Sequence, residues 1–461
     1  MIKWPLIVLG VLLAGVGLVR TVAGQATPVP EKPTTAVANC TQGNCHAKQV
    51  AAKVLHGPTA LRACDACHIP TDEKLHTFHL KQEGKALCDF CHAEKKVNGP
   101  VVHKPVEEGK CLGCHDPHGA GTKLLLKKDD LGTLCRDCHK DLTKDKPILH
   151  GPVGAGSCTA CHNAHSADLP KLLVAQGRDL CLSCHEQMAV AIRDSKVIHK
   201  PVATGDCTQC HEVHASAQPM QLKLATVELC ESCHKPIKEA AANARFKHSA
   251  VEQGAACLNC HTSHASQTEK LTRKDLPRAC LTCHDKAQKT ADGRTVAAVP
   301  EVTSPDLSLH GPIREGNCAG CHVLHGSEVS RLLAKPYPET FYENFNADKY
   351  ALCFTCHDKS LVLEAKSTGL TRFRNGNDNL HFLHVNRTEK GRSCRGCHAT
   401  HASKYALHVR ETVPYGKWEM PLNFQATSTG GSCTPGCHKE VRYDRDNPIA
   451  YDHSNTPPAP A

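Results

Sequence analysis

The chain has 461 residues, of which 40% are apolar and only 4% aromatic, too few large apolar groups to line an ordinary core at this length. It also carries 30 cysteines, 33 histidines and a formal charge of +9. This composition excludes a core of several hundred residues built from side chains alone, so other apolar matter must fill the interior.

The chain opens MIKWPLIVLGVLLAGVGLVRTVAGQA, with one early lysine, an apolar run from Pro5 to Val19, and small residues at Ala23 and Gly24. Residues 1–24 read as an export signal. Fifteen apolar residues are short for a spanning helix, and the alternative is an uncleaved anchor. No cysteine lies near the cleavage site, which argues against lipid attachment there.

Residues 25–55 hold Cys40 and Cys45 with His46 directly after. Cys-x-x-Cys-His then recurs thirteen times. The first six are Cys64, Cys67 and His68; Cys88, Cys91 and His92; Cys111, Cys114 and His115; Cys135, Cys138 and His139; Cys158, Cys161 and His162; and Cys181, Cys184 and His185. The next four are Cys207, Cys210 and His211; Cys230, Cys233 and His234; Cys257, Cys260 and His261; and Cys280, Cys283 and His284. The last three are Cys318, Cys321 and His322; Cys353, Cys356 and His357; and Cys394, Cys397 and His398. A final, wider version is Cys433, Cys437 and His438, and with it every cysteine is used. Zinc or disulfide chemistry gives no reason for histidine to follow the second cysteine fifteen times in fifteen. Attachment of c-type haem does, because two thiols must reach the vinyl groups of one porphyrin while the adjacent imidazole reaches its iron. Residues three and four apart share a helix face, so a short helical turn at each pentad is expected.

A larger repeat runs through residues 56–284. Its parts are a leading histidine, a pentad, a histidine three after the proximal one, a Leu-rich connection and a second pentad. His56, His103, His150, His199, His248 and His310 lead six repeats, and His381 or His384 leads a seventh. The histidine after the first pentad is His118, His165, His214, His264, His325 or His401; the repeat at Cys64 lacks it, and His76 or His79 is the substitute. His115 and His118 are three apart and would lie side by side on a helix, whereas the two axial ligands of one iron approach from opposite faces. His118 and its equivalents are therefore expected to ligate a neighbouring haem. The leading histidines could reach the local haem or another. Fifteen proximal histidines leave 18 for the distal positions, so two-histidine ligation throughout is feasible, with His408 and His453 also unassigned. After the signal only Met188, Met220 and Met420 remain, too few for a general methionine ligand.

Residues 285–309 form a polar linker. Residues 310–438 are repeats with long insertions, and all seven tyrosines lie at or beyond Tyr337. Two readings stand: local packing where haems are sparser, which is favoured, and a docking surface. The tail, 439–461, is expected to be disordered beyond the candidate ligand His453.

Removing residues 1–24 leaves 53 basic against 46 acidic groups, and fifteen haems at about 29 residues each would supply much of the interior. Their propionates bring the net charge to roughly −8 oxidised and about −23 reduced, which favours a basic partner surface over nucleic acid.

The doubled pattern, clearest in CLGCHDPHGAGTKLLLKKDDLGTLCRDCH and CTACHNAHSADLPKLLVAQGRDLCLSCH, resembles the doubled CxxCH family of multihaem cytochromes c over residues 56–438. The resemblance implies a mostly irregular, elongated fold of about seven two-haem repeats with short α-helices and little β structure. It implies about fifteen covalent haems c and electron transfer in respiration or outside the cell, similar in kind to periplasmic decahaem cytochromes that feed outer-membrane porins. The expected partners are donor and acceptor cytochromes or a membrane complex, with a porin as a further one. The expected location is the periplasm, with membrane association through the N-terminal segment or secretion as variants. Two rival functions are carried alongside: a reductase of small nitrogen or sulfur oxyanions with one open iron, and a filament-forming conductive cytochrome. No Cys-x-x-Cys-Lys variant is present, which disfavours the reductase.

Overall fold

The computed structural model describes residues 40–451, apart from 42–44, 73, 93–96, 98, 141, 291–292 and 437–438. The export segment and the end of the tail, with His453, lie outside the described residues. The chain divides into two compact bodies, Met1–Lys96 with Glu108–Asp129, and Val97–Glu107 with Asp130–Ala461.

Both bodies are mostly irregular, with short helices and small, mainly two-strand sheets set on the repeats. In most repeats the leading histidine sits at the start of a single helical turn, with proline just inside it, as in Gly151–Gly154 and Lys200–Ala203. Proline suits that place because its fixed φ and missing N–H cost nothing in a first turn. Gly156 and Gly205 then take φ of +70° and +79°, which turns the chain into the first pentad without a Cβ clash.

The two pentads of a repeat differ locally. First pentads form a tight 3₁₀ turn, as at Cys111–Gly113, Cys158–Ala160 and Cys207–Gln209. Most second pentads lie on or close a short α-helix, as at Leu131–Arg136, Thr226–Cys233 and Arg278–His284. The one before His357 departs from this and forms a 3₁₀ turn, Cys353–Thr355. The expected helical register between His115 and His118 does not form. His115 instead bridges Leu126, because the chain leaves the 3₁₀ turn at Cys114 into extended backbone.

Consecutive repeats are joined by two-residue antiparallel ladders. The dipeptide before each leading histidine pairs with the one after the later histidine of the next repeat. Val54–Leu55 pairs with Gly119–Ala120 in the first body. In the second, Val101–Val102 pairs with Ser166–Ala167, Ile148–Leu149 with Ala215–Ser216, Val197–Ile198 with Ala265–Ser266, Phe246–Lys247 with Gly326–Ser327, and Ser308–Leu309 with Ala402–Ser403. Such ladders are too short to stand alone. They hold because the histidines on either side are tied together as well.

Side-chain core is scarce, as the composition requires. Among the described residues eleven apolar side chains are buried, and the cluster they form is Tyr350, Val362 and Val385, with Phe345, Phe354, Leu361 and Cys394 against it. Phe341, Tyr342 and Tyr415 meet edge to face at 4.8–6.1 Å. Packing therefore occupies much of the C-terminal aromatic content, while Trp418, on the hairpin of Thr412–Tyr415 and Trp418–Pro421, stays 70% exposed. The 285–309 stretch carries a small hairpin, Gln288–Lys289 against Thr295–Val296, and a turn at Pro300–Thr303 that buries Val302. Among the described residues no helix is long and apolar enough to cross a membrane.

Candidate haem sites

The histidines meet in twos. In the first body His46 faces His76, His56 faces His92 and His68 faces His118, with ring centres 5.9, 5.9 and 6.2 Å apart. In the second body His103 faces His139, His150 faces His185, His162 faces His214, His199 faces His234 and His211 faces His264. The remaining pairs there are His248 with His284, His261 with His325, His310 with His357, His322 with His401 and His381 with His398. These ten lie at 5.9 to 6.4 Å. All but His322 and His401, tilted by 41°, have ring planes within 26° of parallel.

That spacing is too wide for ring-on-ring contact. It fits an intervening metal, since a metal–imidazole bond of about 2 Å plus about 1.1 Å to the ring centre, taken on both sides, gives about 6.2 Å. Among the described residues no group of three or more His, Cys, Asp or Glu converges as a cage for a bare ion. Paired imidazoles beside two thiols are what a covalently held, six-coordinate haem needs, and the residues present fit it.

The pairs follow one rule. A leading histidine faces the proximal histidine of the second pentad in its own repeat, as His150 does His185 and His199 does His234. The rule holds for His357 despite its 3₁₀ turn: it faces His310 at 6.2 Å with planes 5° apart. The histidine after a first pentad faces the first proximal histidine of the preceding repeat, as His214 does His162 and His264 does His211. His76 has this second role toward His46, while His79 is hydrogen-bonded to Thr71 at 3.0 Å and faces no imidazole among the described residues. In the repeat at Cys394 it is His381 that takes the place opposite His398. His384 packs on Phe373 at 5.6 Å, and its Nδ1 lies 2.7 Å from the Leu380 carbonyl. His408 sits edge-on to His310 at 5.3 Å. Cys437 and His438 lie outside the described residues.

Hydrogen bonds at Nδ1 leave Nε2 as the metal-facing atom. The leading His56, His103, His150, His199 and His248 donate from Nδ1 to the carbonyls of Pro117, Ala164, Val213, Ser263 and Leu324 at 2.8–3.0 Å. The first-pentad histidines His115, His162, His211, His261, His322 and His398 donate to Leu124, Lys171, Met220, Lys270, Arg331 and Leu407 at 2.8–3.0 Å. Such a bond selects the tautomer, fixes the ring plane and strengthens the ligand. Burial lowers the pKa of His214, His264, His322 and His325, and pushes His381 down to about 4, which keeps these rings in the neutral, metal-binding form.

The carbonyls that receive these bonds sit in a strained turn. Lys171 and Leu172, Met220 and Gln221, Lys270 and Leu271, Arg331 and Leu332, and Leu407 and His408 are consecutive residues at φ of 55° to 59°. Left-handed backbone costs about 1–2 kcal/mol per residue away from glycine. A buried serine, which sequence reasoning missed, clips the turn. Ser216 Oγ donates to the Leu222 carbonyl at 2.5 Å and accepts the Gln218 N–H at 2.8 Å; Ser266, Ser327 and Ser403 do the same in their repeats. The signal was present as Ala-Ser or Gly-Ser directly after His214, His264, His325 and His401. Replacing Ser216 by alanine is expected to leave a buried carbonyl and N–H unpaired at about 1–3 kcal/mol. Hydrogen exchange should show it as faster exchange over 216–222, with the haem load unchanged.

The pentads share the expected helical turn but not the same surroundings, and here the uniform picture from the sequence needs correction. In most of the standard pentads the second cysteine donates its N–H back to the carbonyl of the first. Cys67 does so at 3.3 Å, Cys91 at 3.2 Å, Cys138 at 3.3 Å and Cys356 at 3.2 Å. In first pentads the second cysteine is then covered by returning chain. The Cys67 carbonyl accepts the Lys81 N–H at 2.8 Å and the Cys114 carbonyl the Lys127 N–H at 2.9 Å, and both side chains are half-buried. In second pentads Cys91, Cys138, Cys184, Cys233, Cys283 and Cys356 are all exposed, and so is His357. The physical reason is local: a second pentad ends its helix or turn at the surface, and the left-handed turn that folds back over a first pentad has no counterpart there.

The first cysteines order the sites. The thiols of Cys40 and Cys64 and of Cys88 and Cys111 lie near enough to act on one another in the first body. In the second, Cys181 and Cys207, Cys230 and Cys257, Cys280 and Cys318, and Cys353 and Cys394 are likewise near enough to act on one another. Before haem is attached, burial first, and then the neighbouring thiol, pushes Cys88, Cys181 and Cys230 up to about 11, so these groups await attachment as neutral thiols. Within a repeat, Cys67 and Cys88, Cys161 and Cys184, Cys210 and Cys233, Cys260 and Cys283, and Cys321 and Cys356 are near enough to act on one another. Within each body the attachment points therefore adjoin in sequence order.

A family model, described as the doubled CXXCH motif, matches residues 56–97, 103–144, 150–190, 199–239, 248–289 and 310–361. The chain belongs to this family of multihaem c-type cytochromes. Each matched segment begins at a leading histidine and ends past the second pentad, so the family's unit is the repeat whose two sites are described above. The motifs of this cytochrome hold covalent haem c. No curated protein matches the chain.

Proposed function

We propose that this cytochrome carries about fifteen haems and is an electron-transfer protein, relaying single electrons between redox partners outside the cytoplasm. The observation that carries the reading is the set of thirteen facing histidine pairs, each spaced for one iron. Haem c supplies a one-electron couple that cycles without ligand exchange when both axial positions are filled. At these thirteen sites the proximal histidines and their partners fill both positions and so leave no place there for a substrate. The cysteines keep each ring attached in both oxidation states, and their sequence-ordered contacts keep successive sites adjacent. Two-histidine ligation holds the potentials low compared with Met/His ligation. Residues 1–24 act as the export signal, and the partners are donor and acceptor cytochromes or a membrane complex, with a porin as an outer-membrane docking point. The acidic character conferred by the propionates favours a partner with a basic face.

The test is carbon monoxide binding to the fully reduced protein, with haem counted by intact mass on the same sample. Fifteen haems and essentially no carbon monoxide are expected. Rapid binding of one equivalent per chain would sink the closed-iron reading and point to a reductase.

A further inference from the structure

Among the thirteen standard pentads, Cys394–His398 stands apart in having no exposed residue. Its Gly396 is buried so closely against Phe341 that a Cβ would lie 3.2 Å from the ring. Ser393 just before it is 1% exposed and donates to the Thr340 carbonyl at 2.7 Å. Tyr350, Val362 and Val385 pack as a core beside Cys394. In each of the other twelve standard pentads at least one of the two residues between the cysteines is open to solvent, and in five of them both are.

Cations gather at the same place. Arg395 stands between the two cysteines, half-buried, and donates from Nη1 to the Glu339 carbonyl at 2.6 Å. Arg410 donates from Nε to the His398 carbonyl at 3.0 Å. Arg331 and Arg410 are the cations that act on Arg395, and Tyr337 and Glu339 act on it with opposite sign. None of the three arginines forms an ion pair among the described residues. An iron held by two neutral imidazoles and a porphyrin dianion carries one net positive charge when ferric and none when ferrous. Burial and nearby fixed positive charge both disfavour the ferric form, and so raise the potential.

We propose that the haem held by Cys394, Cys397, His398 and His381 has the highest potential in the chain, with Arg395 as its main tuning residue, so that this site is the first to fill with electrons. This rests on the haem-relay reading above. One electron added at this iron reduces Fe(III) to Fe(II), and the donor is the neighbouring reduced haem.

The experiment is a spectroelectrochemical titration of the full chain, reading the first fifteenth of the α-band to reduce. In Arg395→Gln that step is expected to move to lower potential by at least a tenfold change in the reduced-to-oxidised ratio, which is 59 mV for one electron. Arg395→Lys, which keeps the charge, should stay near the parent, and Arg178→Gln, on the second-pentad helix Gly177–Leu182 of another repeat, should not move it. An unmoved first step in Arg395→Gln, or equal shifts with glutamine and lysine, would overturn the proposal. Haem count by mass on each sample separates this from failure of the relay reading, which would appear as missing haem in the parent. If Arg395→Gln loses haem, Arg410→Gln carries the test with the same expected direction.

Discussion

His264→Ala is expected to create one carbon monoxide site per chain, from essentially none, without loss of haem. The iron that opens is the one held by His211 in the preceding repeat, not the one held by His261 three residues away. His264 faces His211 at 5.9 Å with planes 11° apart, whereas His261 faces His325 at 6.2 Å. The backbone of residue 264 is unaffected by the change, so its carbonyl still accepts the His199 N–H at 2.9 Å and the ladder between repeats persists. What is lost is one axial ligand, and with it the constraint on the opposite face of that ring. Two measurements check this. Carbon monoxide titration gives the number of opened irons, and hydrogen exchange gives the place: amides of 207–222 should exchange faster than in the parent, and those of 257–272 should not. If no carbon monoxide binds, His264 is not an axial ligand. If exchange rises only around His261, the crossing between repeats is wrong.

The largest stability effect is expected at Tyr350, which is fully buried in the centre of the small C-terminal core. Tyr350→Ala removes a ring that packs with Phe345 at 5.7 Å and Phe354 at 6.0 Å, and an aromatic-to-alanine change in a core costs about 3–5 kcal/mol. With so little other side-chain core, neighbours have few ways to close the cavity. Tyr350→Phe is expected to behave oppositely. The Tyr350 hydroxyl is buried with no hydrogen-bond partner among the described residues, and burial raises its pKa beyond the usual phenol range. Removing an unpaired buried hydroxyl is neutral or stabilising by about 1 kcal/mol. Thermal unfolding followed in the far ultraviolet, at equal haem load, checks both. A destabilised Tyr350→Phe protein would mean that the hydroxyl has a partner in the haem-loaded chain, a propionate being the obvious acceptor.

The C-terminal aromatics show where sequence reading stops. Their enrichment beyond Tyr337 was plain, and it fitted either packing or docking. The structure puts Tyr350, Phe345 and Phe354 in a core and leaves Trp418 exposed, because exposure depends on which segments of long insertions fold back on each other. The arginines around the Cys394 pentad were equally invisible as a group. Arg331, Arg395 and Arg410 are separated by 64 and 15 positions in the chain, and only the folding of 339–343 against 391–395 brings their region together. Nor do the five letters of a pentad say whether its second cysteine is covered, as Cys67 is by the Lys81 backbone, or open, as Cys91, Cys138 and Cys356 are.

The amino-acid sequence by itself determined the chemistry. Two thiols and an imidazole within five residues define an attachment site by covalent reach alone, and their recurrence, with histidines at fixed offsets, set the repeat and the scarcity of ordinary core. It also pointed His118 and its equivalents toward another iron, although the helix invoked for that argument does not form. Tertiary structure decided which iron each histidine serves. Eight residues of chain can bend toward several targets, so spacing left His103 or His199 free to reach the local haem or the next. The antiparallel pairing of Val101–Val102 with Ser166–Ala167, and of Val197–Ile198 with Ala265–Ser266, removes that freedom. It ties the segment before each leading histidine to the following repeat, and hydrogen bonds from His103 Nδ1 to Ala164 and His199 Nδ1 to Ser263 then aim the rings at His139 and His234. Long-range backbone pairing is a property of two segments together, and neither segment carries it alone.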